Sequence, residues 1–347
     1  MSGIKYDDFT NPSMKKLYEV MWQNNPVVSK MTGIEKSPAT QNNTSNNSYC
    51  FSGKADKAEL LIDIFDISNK NLFREKFKMA CGGSGQEYRR ITTLHSSSLC
   101  ALLFFYNITD ENPLEIEIAD KPYCFTESVF EFKSPVINSP SNMDIVLLGT
   151  EKVSGKSVVL FLESKFSEYY SAFTNHLERI SDGYLDNPYS ESFYKGVFWK
   201  YLDTEVLPEK DGFVQLRSTK KYYIGGIKQM ISHYVGIRNI MDGNFYSGKK
   251  EPSQLAVENA IMQGADILLA EILYDGKLGR MKNEYGQAYL DSYEEMYVKF
   301  ADKAMTEIDM AGFGKRFRVS MKDLGYSLFL NNDHLVEKRI LDFYFEG

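Results

Sequence analysis

The run SVVLFLESKF, residues 157–166, constrains the fold more than any other part of the chain. Successive residues of a strand point to opposite faces, so Val159, Phe161, Glu163 and Lys165 share one face and Leu160, Leu162, Ser164 and Phe166 the other. Both faces are apolar as far as Leu162, the pattern of a central strand covered on each side. Two charges then follow. A buried carboxylate or ammonium must be paired, neutralised or bound to a metal, because desolvation otherwise costs several kcal/mol.

Neighbouring segments supply the rest of a sheet. LEIEIA (114–119), VFEFKSPV (129–136) and MDIVLLG (143–149) alternate apolar and polar positions, ADILLAEILY (265–274) reads as another apolar strand or a short buried segment, and FRVSM (317–321) follows it. Helical spacing runs through 55–80 with Leu60, Leu61, Ile64, Leu72, Phe73 and Phe77, and GGSG at 82–85 interrupts it, with a new helix starting near Ser84. HSSSLCALLFF (95–105) opens with hydroxyl residues suited to capping and continues as an apolar helix, GGIKQMISHYVGIRNIM (225–241) is another, and a polar helix is expected near 286–308. Residues 1–54 form an N-terminal extension, with a short helix around Lys15 to Trp22 and a polar loop, TQNNTSNNS, at 40–48. The order predicts a mixed α/β domain over 55–347, a central mixed sheet flanked by helices. An aromatic-rich insertion at 171–224, with Lys220 and Lys221 near its end, either contacts substrate or packs as a peripheral subdomain.

Composition excludes several classes. No apolar run among the 347 residues reaches the length of a membrane span, and MSGIKYDDFTNPSMKK lacks the apolar core of a secretory signal, so a cytoplasmic protein without a membrane partner is expected. The net charge of -7 speaks against nonspecific coating of DNA but leaves local basic groups such as Arg89–Arg90, Lys249–Lys250 and Lys315–Arg316. Four cysteines lack CxxC spacing, four histidines lack HxH or HExxH spacing, and GGSG lacks the lysine of a phosphate loop. A disulfide framework, a histidine-based zinc hydrolase and a phosphate-loop enzyme are thereby disfavoured.

Asp144 in MDIVLLG offers a reason for the charges on the next strand. If the two strands are neighbours, Asp144 and Glu163 converge with Lys165. Two carboxylates and a backbone carbonyl, that of Ser164, form an oxygen set suited to Mg²⁺, and a nearby lysine can orient a water or hold a phosphate. The alternative is a same-face ion pair at a strand end. A second Glu-x-Lys, Glu131-Phe132-Lys133, is set aside because its upstream Asp120 lies in the loop-like ADKPY and Ser134-Pro135 cuts its strand short.

SNMDIVLLG followed by VVLFLESKFSEYY resembles the PD-(D/E)xK nuclease superfamily, with Met143 where the signature carries proline. HSSSLCALLFF, FLESKFSEYY and IKQMISHYVG together resemble an uncharacterised bacterial group of restriction-endonuclease-like proteins. The resemblance implies a restriction-endonuclease-like fold and a nuclease, a restriction-type endonuclease cutting DNA with Mg²⁺, for which Mn²⁺ can substitute, and a homodimer for double-strand cutting. It makes Asp144 and Glu163 metal ligands and Lys165 the catalytic lysine. It also nominates Glu87 as an acid from the first core helix and Gln229 from the helix after the Glu-x-Lys strand. Glu87 has a competing role in a capping box with Ser84. By periodicity Gln229 and His233 lie off the apolar stripe of Ile227, Met230, Ile231, Tyr234 and Val235, and so face solvent. A binding module that keeps the charged trio without hydrolysis is the second functional reading.

Overall fold

The structure is a computed structural model and describes residues 12–29, 34–36, 49–51, 53–82, 86–136, 140–166, 177–181, 204–210, 213–218, 225–277, 317–319 and 324–346. The chain opens with α1 (Pro12–Met21), α2 (Pro26–Ser29) and an antiparallel pair, β1 (Ile34–Lys36) and β2 (Tyr49–Phe51). Helices α3 (Lys57–Phe65), α4 (Lys70–Ala80), α5 (Gln86–Arg90) and α6 (Ser97–Phe105) follow. Their starts are chemically marked. The Asp56 carboxylate accepts from the Ala58 and Glu59 amides at 2.8 and 3.1 Å, the Asn69 side chain from Leu72, and the Ser96 hydroxyl from Leu99 at 3.1 Å. The loop at 40–48, Ser84 and the helix expected near 286–308 lie outside the described residues.

Next come β3 (Leu114–Ile118), β4 (Lys121–Ser134), β5 (Ser141–Glu151) and β6 (Ser157–Lys165). The β3–β4 connection is a two-residue turn in which Ala119 (φ 50°) and Asp120 (φ 60°) are both left-handed, the geometry that matches the twist of paired strands. Within the aromatic-rich stretch, β7 (Leu177–Ser181), β8 (Thr204–Lys210) and β9 (Phe213–Ser218) pair as an antiparallel sheet in the order β7-β9-β8. The chain continues through α7 (Gly225–Met241), α8 (Pro252–Met262), β10 (Asp266–Leu273), β11 (Phe317–Val319) and α9 (Lys338–Tyr344).

The main sheet has six strands in the order β11-β10-β6-β5-β4-β3, antiparallel from β3 to β6 and parallel from β6 through β10 to β11. It is a mixed sheet with helices on both faces, as the double-sided strand requires. Leu160, Leu162 and Phe166 of the β6 strand and its end join one core with α6, whose Leu99 to Phe105 are all buried. The same core takes in Leu17, Met21 and Trp22 at α1, Phe51 of β2 and Ile340, Phe343 and Tyr344 of α9, so the first and last described helices pack on this face. The opposite face carries Val146, Val159, Phe161, Ile267 and Leu269, with α7 and α8 laid over it through buried Val235, Ile240, Val257 and Ile261. Among the described residues no helix is long and apolar enough to cross a membrane.

One irregularity of the pairing positions the charged residues. The β5–β6 ladder ends at Ile145↔Leu162, yet β5 stays paired with β4 back to Ser141 and β6 stays paired with β10 on to Lys165. The sheet therefore forks, and Asp144 and Glu163 stand on its two arms just past the last shared rung.

Candidate active site

At the fork the Ser164 amide has passed the end of its ladder with β5, and it donates to Asp144 Oδ2 at 2.9 Å. An orphan backbone donor thus explains an aspartate on a core strand. The Ser164 hydroxyl turns to the other face, where it donates to the Ser97 carbonyl at 3.1 Å and lies 2.7 Å from the Tyr326 hydroxyl, tying the end of β6 to the start of α6.

Glu163 and Lys165 are each about 3% exposed. The Lys165 ammonium donates to Glu163 Oε1 at 2.7 Å and to Gln229 Oε1 at 2.6 Å, and the Gln229 amide donates to Glu163 Oε1 at 2.7 Å. His233 Nε2 stands 2.8 Å from Glu163 Oε2, and His233 Nδ1 stands 2.7 Å from the Ser141 hydroxyl. The structure thus brings together Asp144, Glu163, Lys165 and Gln229. It corrects the periodicity of α7: His233 is 2% exposed and Gln229 half-buried, and both face the site. Residues 232–237 are buried in succession, so this turn is enclosed on all sides and an apolar stripe cannot mark its only inner face.

Two further acids were not selected from the sequence. Glu131 lies on β4 between the rungs Phe130↔Ile145 and Phe132↔Met143, opposite Asp144, and Glu271 on β10 is the register partner of Glu163. Four acidic residues consequently cross four adjacent strands in one row: Glu131, Asp144, Glu163 and Glu271. The Glu131-Phe132-Lys133 motif lies on β4, which ends at Ser134 as the Ser134-Pro135 step predicts, and Glu131 stands beside Asp144 of the next strand. Its strand runs 14 residues, and Glu131 has a left-handed backbone (φ 51°), a local break that the tripeptide does not reveal. Glu271 had a legible signal, an acid inside an apolar strand, the same signal that singled out Glu163. Glu87 of α5 accepts from the Ser98 hydroxyl at 3.1 Å, and its charge acts on Glu131. It borders the cluster through Glu131.

The electrostatics follow from this crowding. Burial, then the charges of Glu163 and Glu131, push the Asp144 carboxyl well above its ordinary range, against the pull of Lys165 and the Ser164 amide. Burial, then Glu87 and Glu163, push Glu131 up to about 8. For Glu163 burial acts in the same direction, but Lys165 and His233 outweigh it and hold the carboxyl below its usual value.

Carboxylate and carbonyl oxygens are the donor type that hard divalent cations accept. Among the described residues no hydrogen-bond donor reaches Asp144 Oδ1 or the Glu131 carboxylate, while Lys165 and the Ser164 amide offset part of the burden on Asp144 and Lys133 part of that on Glu131. As the side chains stand, no three His, Cys, Asp or Glu groups among the described residues converge closely enough to hold an ion. Both Glu163 oxygens are engaged by protein groups, Oε1 by Lys165 and Gln229 and Oε2 by His233.

Fold and site define a mixed α/β protein with a buried acid–lysine cluster at a fork in its sheet. Comparison with models of known families, with curated proteins and with solved structures finds no match.

Proposed function

We propose that the chain is a divalent-metal-dependent nuclease that hydrolyses phosphodiester bonds in DNA, of the PD-(D/E)xK kind with a restriction-endonuclease-like fold. The observation that carries the reading is the fork, with Asp144 on one arm and Glu163 and Lys165 on the other. Two strands that part beside each other set the acids on separate arms without breaking the core beneath them. Asp144, Glu163 and the Ser164 carbonyl would hold Mg²⁺ or Mn²⁺, with Glu131 as an added acid. The bound cation supplies charge for the phosphoryl oxygens and acidifies water. Lys165, held by Glu163 and Gln229, places an ammonium where charge develops on the scissile phosphate and orients the attacking water. Gln229 keeps that ammonium and the Glu163 carboxylate in register.

Saturation of Glu163 by three protein donors favours a second reading, a nucleic-acid or protein binding module with a silent site. The deciding experiment incubates supercoiled plasmid with wild type, Asp144→Ala and Lys165→Ala, in Mg²⁺, Mn²⁺ or EDTA. The nuclease reading expects metal-dependent cutting that falls by about 10²–10³-fold or more in each variant. DNA bound but uncut under every metal condition leaves the silent module. Cutting that survives both substitutions removes the site assignment.

A further inference from the structure

The local basic groups of the sequence are not equivalent in the structure. Lys249 lies 3.4 Å from Glu251, Lys250 lies 2.6 Å from Glu258 and Arg238 lies 3.1 Å from Asp242, so each has an acid beside it. Lys220, Lys221, Lys315 and Arg316 lie outside the described residues. Arg89 and Arg90 differ from the first three. Both are exposed at the end of α5, and no acid among the described residues pairs with Arg90.

Helix α5 stands against the acidic row. The charge of Glu87 acts on Glu131, and the end of α4 arrives at the same carboxylate, since a side-chain carbon at Gly82 would lie 3.7 Å from Glu131 Oε2. Residues three apart share a helix face. Arg90 therefore lies on the Glu87 side of α5, one turn further along, which puts a cation on the rim of the row. A five-residue helix has too few internal hydrogen bonds to stand alone, and its neighbours hold it. The Lys57 ammonium donates to the Tyr88 and Arg89 carbonyls at 2.7 and 3.0 Å, satisfying two of the acceptors that end the helix. The Tyr88 ring packs edge-on against Phe77 with centroids 6.2 Å apart. Just beyond Arg90, the Thr92 carbonyl accepts from the Phe51 amide of β2 at 2.8 Å. These contacts fix where the two arginines project.

A polyanion approaching buried carboxylates is repelled unless cations stand at the entrance, and a net charge of -7 gives no general attraction to replace them. Guanidinium groups suit that place, because their fork of donors matches two phosphate oxygens at once. We propose that Arg89 and Arg90 form the phosphate-binding edge by which this chain holds DNA, at the rim of the row that Glu131 and Asp144 begin. The inference rests on the reading of the chain as one that acts on DNA, and it requires no cation at the fork.

The test is fluorescence anisotropy of a labelled DNA duplex with the full chain in EDTA, over a series of salt concentrations, with thermal melts alongside. Arg89→Gln/Arg90→Gln is expected to weaken binding by roughly 10–100-fold near 0.1 M salt and to lower the slope of log affinity against log salt by about 2. Lys152→Gln/Lys156→Gln removes the same charge at the far end of β5 and β6, where both lysines are exposed, and should change neither by as much. Equal affinity and slope in wild type and the arginine variant overturn the inference, and so does an equal loss in the lysine variant, because general charge then accounts for it. Should the arginine pair fail to fold, Arg90→Gln decides against Arg90→Lys: loss in the first with retention in the second supports the edge, and equal affinity in both overturns it. Wild type that binds no DNA overturns the inference and the nuclease reading together. The two part in the remaining outcomes. Binding that depends on the arginines, with plasmid uncut in Mg²⁺ and Mn²⁺, supports the edge and removes the nuclease, whereas plasmid cutting with the same KM in wild type and the arginine variant overturns the edge and leaves the nuclease standing.

Discussion

Replacing Glu131 by glutamine removes one charge from the acidic row while keeping the shape and the left-handed backbone of the residue. The carboxyl stands at about 8 against an ordinary 4.5, so across that interval the folded protein holds a proton that the unfolded chain has released. A raised carboxyl value makes its contribution to stability fully present below the unfolded value, and the contribution is lost as the pH climbs through the folded one. Glutamine cannot titrate, so the difference between the two proteins reports Glu131 together with its effect on Asp144. At about 1.4 kcal/mol per tenfold change in proton affinity, Glu131→Gln should gain about 3 kcal/mol on wild type between pH 5.5 and pH 8.5. Urea unfolding of both proteins at four or five pH values across that range measures the gap from the midpoints. Adding Mn²⁺ at pH 8.5 should recover part of the wild-type loss, since a cation among the ionised acids opposes their repulsion. Stability curves that run parallel from pH 5.5 to 8.5 would refute the reasoning, because burial and the charges of Glu87 and Glu163 would then not raise the Glu131 carboxyl.

Gly236→Ala should destabilise the protein by about 1–3 kcal/mol by forcing α7 off Ser134, and should lower any nuclease activity as His233 withdraws; urea midpoints and plasmid cutting report the two effects. Ser164→Ala removes the hydroxyl that meets the Ser97 carbonyl and Tyr326, at a cost of about 1–3 kcal/mol measured in the same way, while the amide contact to Asp144 persists. Cys81, whose thiol burial pushes up to about 12, should resist alkylation by iodoacetamide at pH 8 in the native state and react on unfolding in urea, as mass spectrometry would show.

Much of the architecture is written locally. The strands 143–149 and 157–166, the helix after HSSS and the helix at 225–241 all rest on periods and caps that a few neighbouring residues define. Asp144, Glu163 and Lys165 were legible for a related reason: charge inside an apolar strand is costly enough to demand an explanation. Glu131 was not legible, because its place depends on a backbone break on a strand whose pairing with β5 joins residues far apart along the chain from Glu87 and Glu163. His233 was misread because period analysis finds the most apolar side of a helix. It cannot find a polar side that is buried against other polar groups.

The sequence by itself determined a sheet with a doubly covered central strand and the presence of acids and a lysine at its end, since alternation and desolvation act within a single segment. Only the tertiary structure decided that β5 and β6 part at that point, that Glu131, Asp144, Glu163 and Glu271 fall in one row, and that His233 bridges the arms. Those are facts of register and docking. They are set by how strands pair and how closely α7 approaches Ser134, and no window of neighbouring residues contains them.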